Sequence, residues 1–260
     1  MPHPRIRCPW LPAAALLGSM LVAWPSAAIR PAVVAGAASA DDILARSRAV
    51  YAALRSYADT GHVEHEFGPS SAPGRERHTF ATHYRAPRHF RFDYTKHKDA
   101  DRYVVWSDEE KFYTWWRSGG VEQVFPKGQG AGAFTGMVAQ TSKAVSQIAS
   151  LLFAQAGLDS TLTELADASL AGTEEIQGRP CHKLVGVARS VYRMTGHETN
   201  VRRTTVWIDT ETLLVRRIYE DTPRGTVAGM LNRYTTTFDP QPNPDLQDAI
   251  FRFVPPSGGR

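Results

Sequence analysis

From about residue 60 onward the hydrophobic period of this chain is two, and it stays two for most of the remaining length. The segments "HVEHEF", "RHTFATHY", "RHFRFDY", "DRYVVW", "KFYTWW" and "VEQVF" follow one another, each short, aromatic or β-branched. Each is ended by Gly, Pro, Asp or a charged turn. The clearest places Phe90, Phe92 and Tyr94 on one side and Arg91 and Asp93 on the other. Such alternation predicts an antiparallel meander with one dry and one wet face. After an interruption, "GRPCHKLVGVA", "RRTTVWID", "LLVRRIYED" and "VAGMLNRYTTTF" alternate again, with "DTET" before Leu213 as a tight turn. A sheet of about a dozen strands must bury one face and curl as its strands twist.

Helical material is scarce. "DDILARSRAVYAALRSY" spaces Ile43, Ser47, Val50, Tyr51 and Leu54 as one helical face. Asp41 and Asp42 suit its positive end, and Arg55 suits the other. In "TSKAVSQIASLLFAQAG", Val145, Ile148, Ala149, Leu152 and Ala156 form an apolar stripe, with Thr141 or Ser142 as cap and Gly157 as terminator. "LTELADASL" reads as a polar helix or loop. The predicted fold is therefore α+β: a single curved antiparallel sheet, an open half-barrel, wrapped around one or two helices. No internal repeat or linker divides residues 41–260, which read as one domain.

Residues 1–40 stand apart. Arg5 and Arg7 precede an apolar run from Leu11 to Trp24, and small residues lead to "ASA" at Ala38–Ala40. That order is a secretory signal peptide, with cleavage expected after Ala40, or earlier after "SAA" at Ala28. The run is shorter than the roughly 20 residues that span a bilayer. The leader holds three arginines and no acid, so the formal charge of +4 falls to +1 without it. No dense basic stripe remains for nucleic acid. Cys8 leaves with the leader and no small-residue lipobox precedes it, so a soluble periplasmic protein with one free thiol, Cys181, is expected.

Several segments resemble the LolA/LolB superfamily of periplasmic lipoprotein carriers. "FRFVPPSGG" at the end is similar to the family's closing Phe-x-Phe-x-Pro-Pro-x-Gly, and "TVWIDTETLLVRRIYED" resembles its late hairpin. "APRHFRFDY" resembles its early strand, and "WSDEEKFYTWW" the hairpin that follows. The resemblance implies a half-barrel that binds acyl chains and performs no chemistry. It also implies that the apolar tail is a last strand pairing with the sheet edge. The family's carriers place an arginine directly before the early proline, to latch a lid. Here Ala86 holds that place and Arg85 stands one residue earlier, so its side chain should face the other way.

Residues that could carry chemistry read as structural. His62 and His65 are three apart, which on a strand means opposite faces and no shared metal. Cys181 and His182 likewise point apart, and a buried thiol is expected. Asp108, Glu109 and Glu110, and again Thr173–Glu175, read as charged turns, and "GQGAGAFTG" as a lid or linker. No nucleophile elbow, phosphate loop or zinc motif is present. Neither catalytic residues nor a metal or cofactor is therefore expected. The expected partner is a lipid, a lipoprotein acyl chain or another hydrophobic ligand, with a membrane protein as a further partner and no nucleic acid. Its cavity should be lined by Phe90, Phe92, Tyr94, Trp106, Trp115, Ile148, Leu152, Val206 and Ile208. The same fold used as an envelope-sensing interaction module is the alternative.

Overall fold

The computed structural model describes residues 38–96, 102–107, 111–117, 120–125, 143–153, 160–191, 198–221 and 229–255. Residues 1–37 of the expected leader, the acids at 108–110, the glycine-rich 128–136 and the caps at 141, 142 and 157 lie outside them.

Helix α1 (Ala40–Ala53) begins one residue before the expected start, because Ser39 caps it. Ser39 Oγ accepts from the Asp42 amide at 3.1 Å, and the Ser39 amide donates back to the Asp42 carboxylate at 3.3 Å. This is a capping box with Asp in place of the usual Glu. Ile43, Leu44, Ser47 and Tyr51 form its buried side. Ser47 Oγ donates to the Leu213 carbonyl and Tyr51 Oη accepts from the Val215 amide, so the helix is bolted to the late hairpin. The helix stops at Ala53, and Arg55 serves outside it by donating its amide to Asn243 Oδ1. Ser39→Ala should cost about 1 kcal/mol of stability, read as a lower urea midpoint at unchanged slope. Cleavage after Ala40 would remove this cap and set a new ammonium group at the helix start, where positive charge is unfavourable. Cleavage after Ala28 would spare it.

The strands form one antiparallel sheet that does not close into a barrel, built from two meanders laid side by side. The first is β1 (Ser56–Pro69), β2 (Gly74–Arg85), β3 (His89–Lys96), β4 (Arg102–Ser107), β5 (Phe112–Trp116) and β6 (Gly120–Phe125). The second is β7 (Leu165–Ile176), β8 (Arg179–Val191), β9 (Glu198–Asp209), β10 (Val215–Asp221) and β11 (Met230–Phe238). Strand β11 pairs with β1 and joins the two halves, and the short β12 (Gln241–Pro242) also pairs with β1. Between the meanders run α2 (Lys143–Leu152) and the single turn α3 (Thr161–Glu164). Helix α2 is buried on almost every side, with Gln147, Ser150 and Leu151 covered as well as Val145, Ile148, Ala149 and Leu152 of the expected stripe, whose Ala156 lies outside the described residues. It lies over β1 and β11, at the centre of the sheet. The α+β fold of an open sheet around few helices is thus as expected. At Gly61 on β1 a side chain would have no room, because the Thr237 carbonyl oxygen and the Phe80 ring lie across it.

Two expectations are corrected. The polar "ADASLAGTEE" forms most of β7, so Thr173–Glu175 is strand and the turn falls at Gln177 and Gly178. As an edge strand exposed on both sides over most of its length, β7 has no period of two to show. The tail, in turn, does not extend an edge. Asp248–Phe251 is a 3-10 turn, and residues to 255 cross the outer face of the first meander. Phe251 and Phe253 do share one side, with Arg252 and Val254 turned outward. Phe253 seats between Trp106 and Trp115, at centroid distances of 5.0 and 5.5 Å. Arg91 donates to the Ile250 and Arg252 carbonyls, and Arg85 to the Leu246 carbonyl and the Asp248 carboxylate. Arg85 does face away from the helices, and what it holds is the tail. Pro240, Pro242 and Pro244 precede this segment and Pro255 and Pro256 follow it, and between them it is gripped by side chains through its carbonyls.

Candidate binding site

The register sorts side chains onto the two faces of the sheet. Rows across β3, β2 and β1 place Phe90, Tyr84 and Tyr57 together, then Phe92, Thr82 and Asp59, then Tyr94, Phe80 and Gly61. A further row runs Lys96, His78, Val63, Thr236, Ile218, Val206 and Leu184 from β3 to β8. These rows form the helix-facing side. Seven of the nine candidate residues meet there in one core with α1 and α2: Phe90, Phe92, Tyr94, Ile148, Leu152, Val206 and Ile208. Trp106 and Trp115 do not join them. They lie on the outer face with Val104 and Phe253, in a separate cluster. The tail buries that face, so β4 is apolar on both sides, with Val104 and Val105 equally covered. Alternation alone therefore could not tell which side its tryptophan takes.

The helix-facing side is not uniform. At one end the aromatic core is dense, with Phe80 stacked on Phe92 and Phe153 packed edge-on against Tyr84 and Phe112. Here Asp59 is almost fully buried, accepting from Tyr57 Oη at 2.9 Å and from the Asp239 amide at 2.8 Å. Burial pushes its carboxyl up, and those two bonds offset only part of it, leaving the pKa at about 7. Toward the other end the surface becomes half-buried and mixed. His65 stacks on Tyr234 at 4.0 Å and meets Asn232 Oδ1 at 3.1 Å, with Phe67 beside it. Tyr103 is half-buried against the same core.

Between these ends a buried charge network ties the helices to the sheet. Glu220, 2% exposed, receives Lys143 Nζ at 2.7 Å, Arg202 Nε at 3.0 Å and Gln147 Nε2 at 3.1 Å. Arg202 also reaches Glu164 at 2.8 Å. A buried carboxylate survives only with such compensation. Sequence reading missed Gln147, Glu220, Thr236 and His78; each is a polar residue within an otherwise apolar pattern, and that interruption was the available signal.

The outer face carries different chemistry. A cavity of about 390 Å³ lies among Glu64, Glu66, Arg75, Arg77 and Arg233. Arg75 and Arg233 pair with Glu66 at 3.0 and 3.3 Å, so it is a salt-bridged groove, unlike the apolar pocket expected between sheet and helices. His65 borders this groove and His62 does not; His62 lies 4.0 Å from Glu64 on the outer face, while the His65 ring stacks on Tyr234 on the other, so the two share no ligand position. Cys181 is fully buried against Ile176 and Trp207, donates to the Arg179 carbonyl, and is raised by burial to about 11. Such a thiol stays protonated and acts as packing. Among the described residues no group of His, Cys, Asp and Glu is arranged to hold a metal ion, and no helix is long and apolar enough to cross a membrane.

No curated protein matches the chain. Among solved structures it is similar to LprF from Mycobacterium bovis, at 14% identity and a TM-score of 0.46, covering 80% of this chain and 94% of that one. It is also similar to the lipoprotein LppX from Mycobacterium tuberculosis, at 15% identity and a TM-score of 0.43, over 79% and 97%. A LolA superfamily protein from Nitrosomonas europaea is similar at 11% identity and a TM-score of 0.32, over 84% and 99%. A family model described as a predicted periplasmic protein matches residues 40–260, in keeping with the export signal read from the leader. With the match running from the start of α1 to the last residue, the chain belongs to the DUF2092 family.

Proposed function

We propose that this protein binds a lipid, an acylated molecule or another apolar ligand in the periplasm, without chemistry, between the sheet and its helices. The observation that supports this is the extent of the helix-facing side. Strand β1 has 14 residues and α2 has 10, so the strand runs about 46 Å against about 15 Å of helix. The apolar rows continue past α2 into Tyr103, Tyr234 and Phe67, which stay half-buried. Aromatic surface of that kind, next to a few polar groups, suits an amphipathic or apolar ligand.

The test begins with the exported protein purified from a membrane-rich host and extracted with organic solvent. Lipid should be recovered in it, and the stripped protein should bind the neutral fluorescent probe N-phenylnaphthylamine. Tyr103→Asp, at the half-buried margin, should keep the fold and weaken probe binding, because a carboxylate there stays hydrated and admits water. Absence of extracted lipid together with absence of probe binding would reject the carrier reading. A stable complex with a membrane protein would then favour the interaction module.

A further inference from the structure

Among the described residues of the helix-facing side, Thr236 Oγ1, Thr82 Oγ1, His78 Nδ1 and Gln147 Oε1 are buried without a hydrogen-bond partner. Thr82 and Thr236 are 0% exposed. Buried polar groups are nearly always paired, so a cluster of exceptions calls for an explanation. Three of them belong together. His78 and Thr236 flank Val63 in one cross-strand row, and α2, which carries Gln147, lies over β1 and β11.

Their surroundings fix what each can offer. Glu220 already receives Lys143 and Arg202, so as a carboxylate it can only accept, and Gln147 must turn its Nε2 toward it. The free end of that amide is then the acceptor Oε1. His78 Nε2 stands 3.4 Å from Glu76 Oε2, which places the ring proton on Nε2 and leaves Nδ1 an acceptor. Burial lowers the His78 pKa, in keeping with a neutral ring. The set is thus two acceptors and the Thr236 hydroxyl, beside a carboxylate.

Resting on the binding reading above, we propose that the ligand of this face is a neutral amphiphile whose head carries a hydrogen-bond donor, a hydroxyl or an amide N–H, seated at Thr236, Gln147 and His78. A hydrocarbon would leave these atoms unpaired. Of the three groups a carboxylate head could pair with the threonine alone, and at Gln147 Oε1 and His78 Nδ1 it would meet acceptors.

The experiment displaces N-phenylnaphthylamine from the stripped protein with monopalmitoylglycerol, methyl palmitate and hexadecane. The glycerol ester should act at roughly tenfold lower concentration than the other two, the size of one well-made hydrogen bond. Thr236→Val, which keeps the shape and loses the hydroxyl, should narrow that gap, and Thr236→Ser should restore it. Equal displacement by all three compounds would overturn the proposal and assign the polar atoms to water. A Thr236→Val effect equal for all three would overturn it as well, as a packing effect. In both cases the probe still binds, so the carrier reading stands; failure of the probe to bind overturns this proposal, and together with absence of extracted lipid it rejects the carrier reading as well.

Discussion

A chain ending at Asp248 should lose about 3–6 kcal/mol of stability, at about 1.5–3 kcal/mol for each of Phe251 and Phe253 removed from its burial. The loss does not come from an opened edge. The sheet ends at β6 and β7, and the described part of the tail pairs with neither. It comes from uncovering the outer face of β2 to β5, where His89 packs on Phe251 and Trp106, Tyr113 and Trp115 form the socket of Phe253. The guanidinium groups of Arg85 and Arg91 lie over the two rings, at 5.1 and 5.5 Å, and would lose those contacts with the backbone carbonyls they hold. Burial pushes the Asp93 carboxyl up, but Arg91 and Arg102 more than offset it, so this anchor is charged and in place at neutral pH. The measurements are a urea melt and tryptophan emission. The truncated protein should unfold at lower urea and emit at longer wavelength while still folded, because two tryptophans gain water. Phe253→Ala should reproduce the red shift with a smaller loss of stability. An unchanged midpoint and emission maximum would mean that the tail contributes nothing to the fold.

This strap also marks where the sequence was readable and where it was not. Alternation in "RHFRFDY" placed Phe90, Phe92 and Tyr94 on the helix side because only that side of β3 is apolar. The late hairpin was equally legible, since the Asp209 carboxylate accepts from the Glu211 and Thr212 amides and so builds the turn from its own side chain. Legibility failed where burial came from a distant segment. Trp106 and Trp115 are apolar because of residues some 140 positions later in the chain, and no local pattern carries that information. It failed again at β7, whose residues satisfy a sheet edge without burying a face. The candidate site follows the same rule. Its apolar wall was visible as periodicity, whereas Gln147, Glu220 and Thr236 gain their meaning only once α2 is laid across β11.

Lowering the pH from 8 to 5 should stabilise wild type relative to Asp59→Asn by about 2–3 kcal/mol, at 1.36 kcal/mol per unit. The folded carboxyl titrates at about 7 against an ordinary value of 3.8, so the fold prefers it protonated. A group raised in this way contributes stability that is fully present below the unfolded pKa and is lost as pH rises through the folded one. Between pH 5 and 7 the unfolded chain has already released this proton and the folded chain has not, which sets the window. The groups around Asp59 explain why the charge is unwelcome: Tyr57 and the Asp239 amide reach it, Asp239 adds like charge, and Arg216 answers only in part because it is committed to Asp209 and Asp239. Other groups run against the trend. Asp209, which burial raises but its backbone amides and Arg216 bring down to about 2, loses stability only at far lower pH. His62, His78 and His83 are lowered chiefly by burial and so lose stability as the solution acidifies through their range. The variant cancels these shared terms, since asparagine can accept from the Asp239 amide and donate to Tyr57 without a proton to lose. Urea melts of both proteins at pH 5, 6, 7 and 8 should show the asparagine variant the more stable at pH 8, with its advantage shrinking as the pH falls. Parallel curves for the two proteins across that range would mean that Asp59 is ionised in the fold throughout.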